Sequence, residues 1–520
     1  MTKVYLPTAG KGTRMGGCAK YANKAILPVN FKALFTHIIE KFPSDTEYIV
    51  ALGYLKEQVV NYIEIAHPKL KVTFVEVDNY DGKGSGPGYS IQYCSEHLQE
   101  AFYFVACDTL WHNEIDFSDT ENWFGVSLVN EDRSDAYCNF QIKDGDIVAI
   151  KDKQKVSSAN HFAFVGLCYI NDYMIFWDGL ASSKNEYEEF QIASGLEALI
   201  KNSKVKTKTI DWTDLGTYES YKAEVGKYEN YDFSKTDEFL YIFNNKVIKF
   251  FADQAVTDKR VFKANLLEGV FPKIDDHRGQ FYSYSFLPGK TMYTYNNPKL
   301  FKDFLSFMKE EVWKIDTEFD MDLMSSICKN FYLDKTNLRI TKYKEKYPNI
   351  DENIPIKGIK VPQVTELLDQ VPWDLLFKGL PSFMHGDLQF DNILSTSNNS
   401  FVLLDWRHEF GGQVEVGDLY YDLGKLAGGL LLNYDFIKLN LIEYFETSEG
   451  IEFDFATRHG SYEYSKILDK FVVDQGFDLK KVKLLVPLIY LNMAPLHHYP
   501  FDKLLFSLGK LMLFDRLNDN

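Results

Sequence analysis

Residues 3 to 15 read KVYLPTAGKGTRM. A short apolar run breaks at Pro7 and opens into a turn holding Gly10 and Gly12, followed by Thr13 and Arg14. Glycines there let backbone N–H groups close on phosphate oxygens that a Cβ would hold off. Arg14 adds a cation that keeps its charge at any physiological pH. The chain then settles into an alternation. ALFTHIIEKF (33–42) has helical apolar spacing, TEYIVALGY (46–54) reads as a strand, LKEQVVNYIEIA (55–66) as a helix, and LKVTFVEV and AFYFVACD as strands again. Strands separated by helices predict an α/β domain with a mainly parallel sheet, and such sheets bind ligands at the carboxyl ends of their strands.

The length of 520 residues exceeds one ordinary core and points to two or three domains. With 45% hydrophobic and 25% charged residues the composition is that of a globular protein. A net charge of −17 excludes a nucleic-acid groove, because nothing neutralises a phosphate backbone. No apolar run reaches the roughly 18 residues that span a bilayer, so no membrane insertion is expected. The opening residues break at Pro7 and Gly10, too early for a signal peptide. The six cysteines, Cys18, Cys94, Cys107, Cys138, Cys168 and Cys328, form no CxxC pair and read as reduced thiols of a cytoplasmic protein. Residues 226–239, GKYENYDFSKTDEF, are polar and without period, and read as a linker between domains at 1–225 and 240–520. Beyond it FLYIFNNKVIKFF predicts a hairpin turning at Asn244-Asn245. PKLFKDFLSFMKEEVWKI and LIYLNMAPLHHY predict helices, giving an α+β second domain.

Three further pieces give the first glycine turn its context. Lys24 stands in NKAILPV, Asp108 ends the strand FYFVACDTLW, and Asp214 precedes a Gly-Thr turn in IDWTDLGTY. A glycine cradle, cations and two carboxylates are what in-line attack on an α-phosphorus needs: the cations stabilise a triphosphate and the carboxylates hold Mg2+. In this order and spacing the pieces resemble the sugar-phosphate nucleotidyltransferase family over about residues 1 to 220. The resemblance implies a Rossmann-like fold, Arg14 and Lys24 as catalytic cations, and Asp108 and Asp214 as metal ligands. It also implies that the turn of Gly10, Gly12 and Thr13 binds nucleotide, and that GSGPGYSI, with Gly84, Gly86 and Gly88, holds base and ribose. Lys153 in IVAIKDKQ matches more loosely a lysine on the acceptor phosphate. Cys107 reads as packing, and Lys11 receives no role.

A second constellation lies in FMHGDLQFDNIL (383–394) and FVLLDWRHEFGG (401–412). Asp387 can accept a hydroxyl proton, while Asn392 and Asp405 can hold Mg2+ on ATP, which together make a phosphotransfer site. The set resembles the aminoglycoside phosphotransferase and choline kinase superfamily over about residues 235 to 520. That implies a two-lobed protein-kinase-like fold, Asp387 as base, Asn392 and Asp405 as metal ligands, and Lys249 of NKVIKFF on the ATP phosphates. YSYSFLPGKTM (282–292) matches the adenine-binding hinge, and Asp418 and Asp422 of EVGDLYYDLGKL match structural supports. The helix glutamate that should pair with Lys249 is not placed, Glu268 in LLEGVF being only a candidate. No DFG or APE segment is present, which argues against a protein kinase. NMAPLHHYPFD gathers His497, His498, Tyr499, Phe501 and Asp502, and His498 and Tyr499 are expected at the acceptor, where aromatic faces suit a quaternary ammonium or a sugar.

The two halves suit consecutive steps. A kinase makes a phosphate monoester, and a nucleotidyltransferase consumes one. The expected protein is a bifunctional enzyme that phosphorylates a small sugar or polyol with ATP. It then transfers a nucleoside monophosphate from CTP or UTP, giving an activated precursor for cell-surface polysaccharide. The alternatives are an amino-alcohol pathway through choline phosphate, and a chain in which one half only binds. The absence of a tryptophan box favours the sugar or polyol. Oligomeric state, a homo-oligomer included, is left open.

Overall fold

The structure is a computed structural model, and it describes residues 2–143, 146–157, 161–182, 190–228, 235–352, 354–396 and 400–519. By packing, the chain divides into two units. The first joins Met1–Tyr228 with Ser234–Gln254 and Asp276–Ser283, and the second joins Ala255–Asp275 with Tyr284–Asn520.

In the first unit the alternation becomes a nine-stranded sheet. Its main path runs Asp146–Asp152, Cys138–Lys143, His161–Ile170, Phe102–Val105, Lys3–Pro7, Glu47–Leu52, Lys71–Glu76. Lys3–Pro7 pairs in parallel with both Glu47–Leu52 and Phe102–Val105, and Glu47–Leu52 with Lys71–Glu76. The expected parallel order is present on this side. Beyond Phe102–Val105 it gives way, because His161–Ile170 runs antiparallel to Phe102–Val105, Asn122–Ser127 and Cys138–Lys143. Val205–Thr209 returns to parallel beside Asn122–Ser127. The sheet is therefore mixed. Too few residues separate Cys138–Lys143 from Asp146–Asp152 for the crossover that parallel strands need.

Both faces of Lys3–Pro7, Glu47–Leu52 and Phe102–Val105 are covered, so these strands read as apolar runs, while Lys71–Glu76 at the edge is only half-buried. Val4 and Leu6 join one core with Tyr48, Val50 and Val105, while Tyr5 joins the other with Ile49, Ala51 and Phe104. Helices Leu34–Ile39 and Lys56–Ala66 bury Ile38, Val59 and Tyr62 in the first core, and Ala193–Asn202 buries Leu196 and Leu199 in the second.

The hairpin forms as expected. Glu238–Phe243 pairs with Lys246–Phe251, and Asn244 and Asn245 take φ of 48° and 59°, the positive pair a tight hairpin turn requires. Its placement departs from the sequence reading. Of the expected linker, residues 229–234 lie outside the described residues, and Glu238 and Phe239 are already strand. The hairpin, read as the start of the second domain, packs with the first unit. Phe239, Tyr241, Phe243, Ile248 and Phe250 share the core of Val4 and Leu6. The Tyr241 ring lies 5.0 Å from that of Tyr62, and its hydroxyl donates to the Ile26 carbonyl at 2.7 Å. Ile242 N–H donates to the Phe31 carbonyl at 2.8 Å. Each large apolar side chain buried in this way stabilises by about 1.5–3 kcal/mol.

His67 stacks on Phe243 at 5.4 Å and its Nε2 lies 2.8 Å from Thr36 Oγ1. Burial, then the Lys246 ammonium, lower its pKa to about 4. The unfolded imidazole takes up a proton near pH 6.5, which the folded one refuses until about pH 4, so stability falls on acidification across that window. His67→Gln should flatten the stability curve by about 1–2 kcal/mol between pH 7 and 5, read by urea unfolding. An unchanged pH slope would remove His67 from this account.

The second unit is helix-rich. PKLFKDFLSFMKEEVWKI forms helix Pro298–Phe307 and continues as a wider π turn over Met308–Val312. LIYLNMAPLHHY ends helix Leu479–Met493 and passes into a short 3-10 turn, Ala494–Leu496. The strands Ile393–Ser395 and Phe401–Leu403 pair antiparallel, and Lys290–Thr291 joins their edge. Among the described residues no helix is long and apolar enough to cross a membrane.

Candidate active sites

In the first unit, strand Lys3–Pro7 ends in the glycine turn. Gly12 has φ of 61°, and a Cβ built on it would lie 3.5 Å from Lys24 Cβ, so the turn rests on that lysine. Asn23 fixes the backbone on which Lys24 sits. Its Nδ2 donates to the carbonyls of Thr8 and Tyr54 at 2.9 and 2.8 Å, and its Oδ1 accepts from Ala25 N–H at 2.9 Å. Lys24 is buried, and its Nζ lies 2.5 Å from Asp108 Oδ2.

Asp214 ends a strand, Trp212–Asp214, that runs antiparallel to Thr109–Trp111 and sets it opposite Thr109, next to Asp108. A Cβ on Gly216 would lie 2.8 Å from Asp214 Oδ1 and 3.5 Å from Asp108 Oδ2. Both carboxylates thus converge on the one residue that leaves the space between them open. Asp214 Oδ2 also accepts from the Tyr137 hydroxyl at 2.7 Å and lies 3.4 Å from Arg133 Nη2. Burial works to raise the Asp108 pKa, but Lys24 and then Arg14 outweigh it and hold the carboxyl below its usual range. The neighbouring Cys107 thiol is pushed up to about 12, by burial and then by Asp108, which agrees with a packing role. Four separated segments therefore bring Arg14, Lys24, Asp108 and Asp214 into one electrostatic site.

The segment at 84–88 is held in place by residues 190 and 191. Gly88 N–H donates to the Phe190 carbonyl and Phe190 N–H to that of Ser85, both at 2.8 Å, and a Cβ on Gly88 would come within 2.6 Å of Gln191 O. Gly84 and Gly86 take φ of 82° and 130°. Lys11, exposed and given no role above, reaches Asp81 at 2.5 Å and ties the first glycine turn to the approach of the second. Lys153 is exposed, and its N–H donates to the Tyr137 carbonyl at 3.0 Å. Gly10 has open space around it.

In the second unit, Asp387 stands on a loop built by its neighbours. His385 N–H and Gly386 N–H donate to Asp422 at 2.8 and 2.7 Å, and His385 Nε2 lies 2.8 Å from the Leu404 carbonyl. Asp418 accepts from Leu380 N–H at 2.8 Å and from the Tyr332 hydroxyl at 2.8 Å. Both aspartates hold backbone or structural partners, as the sequence reading had them. Gly386 has φ of 87°, and a Cβ there would strike Arg407 Cβ at 2.5 Å. Asn392 Nδ2 donates to the Asp387 carbonyl at 2.8 Å, and Leu404 N–H donates to the Asn392 carbonyl at 2.8 Å. Asp387, Asn392 and Asp405 are thereby drawn together. Asp405 takes φ of 56°, uncommon for a residue with a side chain, and lies 3.2 Å from Arg260 Nη1. Asp387 Oδ1 lies 2.6 Å from Lys425 Nζ. Burial opposes ionisation of Asp387, but Lys425 prevails and lowers its pKa.

Lys249 lies half-buried on Lys246–Phe251, opposite Leu240, in the first packing unit. The helix that follows spans Gln254–Leu266, so Glu268 falls beyond its end, exposed, and is not a helix glutamate. His498 and Tyr499 are exposed, the Tyr499 ring 6.5 Å from and edge-on to Tyr444.

Among the described residues no three Asp, Glu, His or Cys side chains converge as a metal cluster. Mg2+ needs only one or two carboxylates, with phosphates and water completing its shell. The Asp108–Asp214 and Asn392–Asp405 pairs fit that requirement.

Residues 6–115 match the family model described as the MobA-like NTP transferase domain. The N-terminal half carries a MobA-like NTP transferase domain. Curated relatives agree with it: the bifunctional protein GlmU of Methanococcus maripaludis is 26% identical over 215 residues, and that of Methanocaldococcus jannaschii 26% over 225. Each match covers 40% of this chain and 50% of the relative, so the chain spans about half the length of the curated relatives it matches. Among solved structures, CTP:phosphocholine cytidylyltransferase from Streptococcus pneumoniae is similar at 18% identity and TM-score 0.37, covering 44% of this chain and 99% of that one. UTP-bound UGPase from Acinetobacter baumannii is similar at 17% and 0.37, covering 44% and 93%.

In the transferase domain the sequence reading missed Tyr137, Arg133 and Gly216 around Asp214. The glycine was visible in IDWTDLGTY, but its meaning depends on a Cβ that is not there. In the second unit it missed Lys425 and Arg260. Lys425 stands one helical turn after Asp422, a spacing that puts both on one face and was the available signal.

Proposed function

We propose that the protein is a bifunctional enzyme built from the transferase domain and, in its C-terminal half, a small-molecule kinase. The observation that carries the transferase chemistry is the convergence of Asp108 and Asp214 on Gly216, with Lys24 bonded to one of them. The kinase reading rests on the loop that binds Asn392 to the backbone of Asp387 and to the strand end carrying Asp405. In this reading Lys249, on the hairpin, is assigned to the ATP phosphates.

In the first step an acceptor hydroxyl attacks the γ-phosphorus of ATP, Asp387 takes the hydroxyl proton, and ADP leaves. In the second an oxygen of the new phosphate monoester attacks the α-phosphorus of CTP or UTP, and pyrophosphate leaves. Arg14 and Lys24 bear the charge that accumulates on the triphosphate, the turn of Gly10, Gly12 and Thr13 offers it backbone N–H groups, and Gly84 to Gly88 receive base and ribose. Asp108 with Asp214, and Asn392 with Asp405, would hold Mg2+, which neutralises phosphate charge when bound. Lys153, His498 and Tyr499 are assigned to the acceptors. The product would be an activated sugar or polyol for cell-surface polysaccharide, made in the cytoplasm.

The test is a two-stage mass-spectrometric screen of the purified protein with ATP, Mg2+, CTP or UTP, and a panel of sugars, polyols and amino alcohols. One compound should gain a phosphate and then a nucleoside monophosphate. Phosphorylation without nucleotidyl transfer would separate the two halves into unrelated reactions, and no turnover at all would leave a binding protein.

A further inference from the structure

The surroundings of Asp387 carry a charge that the kinase reading alone does not use. Lys335 and Arg339 stand one turn apart on helix Lys335–Lys346. Lys335 Nζ lies 3.7 Å from the centre of the Phe331 ring, and Arg407 Cζ lies 5.0 Å from the centre of the same ring. Lys425, on helix Leu419–Leu431, completes the group through its bond to Asp387. A cavity no larger than a water lies beside Phe331 and Lys335, its far side apolar with Leu485, Leu488 and Ile489. Two buried polar atoms in this neighbourhood, Arg407 Nε and Asn492 Oδ1, have no hydrogen-bond partner among the described residues. Lys425 and Arg407 thus both act on the Asp387 carboxylate, Lys335 and Arg339 neighbour Arg407, and the guanidinium of Arg407 keeps a donor unused.

We propose that the alcohol phosphorylated at Asp387 carries an anionic group, a carboxylate or a phosphate, which Lys335, Arg339 and Arg407 receive. The inference deepens the kinase reading and rests on it. Whatever hydroxyl gives its proton to Asp387 must lie beside this wall, so the wall chooses what else the molecule bears. Like charges crowded in a half-buried place repel, and an anion relieves that repulsion while a quaternary ammonium or amine adds to it. Arg407 offers a planar fork suited to carboxylate and phosphate oxygens, Arg339 adds the donors left beside its 2.8 Å bond to the Asn492 carbonyl, and Phe331 and Tyr421 supply faces for the carbon frame. The repulsion shows at Lys335: burial, then Arg407, Arg339 and Lys425, bring its ammonium down to about 5. An anion would restore its proton, so binding should draw protons from the buffer.

The experiment is titration calorimetry on the full chain saturated with ADP and Mg2+, in two buffers of different ionisation heat. The probes are D-glucuronate, D-glucose 6-phosphate, D-glucosamine and choline. One of the anions should bind at least about 10-fold more tightly than glucosamine or choline, with proton uptake, and the stronger anion names carboxylate or phosphate. Lys335→Met and Arg339→Gln should each weaken it about 10- to 100-fold, while Lys335→Arg, which keeps the charge, holds it within about threefold. Tighter binding of choline or glucosamine overturns the proposal, as does anion binding that both variants leave unchanged. A parallel assay of phosphate transfer separates two failures. If neutral or cationic alcohols are phosphorylated and anionic ones are not, the kinase reading stands and the anionic acceptor falls. If no alcohol of any charge is phosphorylated, the kinase reading falls and takes the proposal with it.

Discussion

Asp387→Asn should lower ADP formation with acceptor by roughly 10²–10⁴-fold while pyrophosphate release from CTP or UTP stays within about twofold. The substitution is isosteric and keeps the backbone of the loop, whose bonds to His385 and Asn392 use main-chain atoms of residue 387. What it removes is the anion that takes the hydroxyl proton. Lys425 keeps that anion ionised in spite of burial, so the acid limb of the wild-type rate should lie below the ordinary carboxylate pKa of about 3.9. Across neutral pH the base should already be fully available. A coupled assay of ADP formation reads both results. Retention of more than a third of the wild-type rate in Asp387→Asn would strip the residue of its role as base.

Lys24→Met should lower pyrophosphate release by roughly 10²–10³-fold. Lys24 is 8% exposed and held by the Asn23 network, so its ammonium is aimed before any substrate arrives. The change also leaves Asp108 half-buried without its counter-ion, which destabilises the fold apart from any effect on chemistry. The double variant Lys24→Met with Asp108→Asn distinguishes the two. It should recover most of the lost stability and none of the activity. Full pyrophosphate release from Lys24→Met would mean that Lys24 only neutralises Asp108.

The parallel core of the first unit was legible because its signals are local. Unbroken apolar strands, a glycine turn and helical spacing each lie within a few residues, and Lys3–Pro7, Glu47–Leu52, Lys71–Glu76 and Phe102–Val105 all stand where the pattern put them. The pieces NKAILPV, FYFVACDTLW and IDWTDLGTY likewise led to side chains that the fold draws together. The antiparallel half of the sheet was not legible, since strand direction depends on connections such as the one after Lys143 and not on composition. Nor was the allegiance of the hairpin. FLYIFNNKVIKFF shows that two faces will be buried, but not which body supplies the other side. The ion pair of Lys425 with Asp387 joins residues far apart in sequence, and only the place of Lys425 one helical turn after Asp422 hinted at it.

The hydroxyl of Tyr241 on the carbonyl of Ile26 sets limits on how this chain can be divided. A fragment that stops in the polar stretch at 226–239 would lose Phe239, Tyr241, Phe243, Phe250 and Phe281 from its own interior and turn that aromatic wall to water. A cut after Gln254 keeps the hairpin but still loses Phe281, which the strand Phe281–Ser285 brings back to the first unit. The first unit is therefore not a cassette that ends at the polar stretch: any fragment or chimera built on it has to bring the hairpin and the Phe281 strand along.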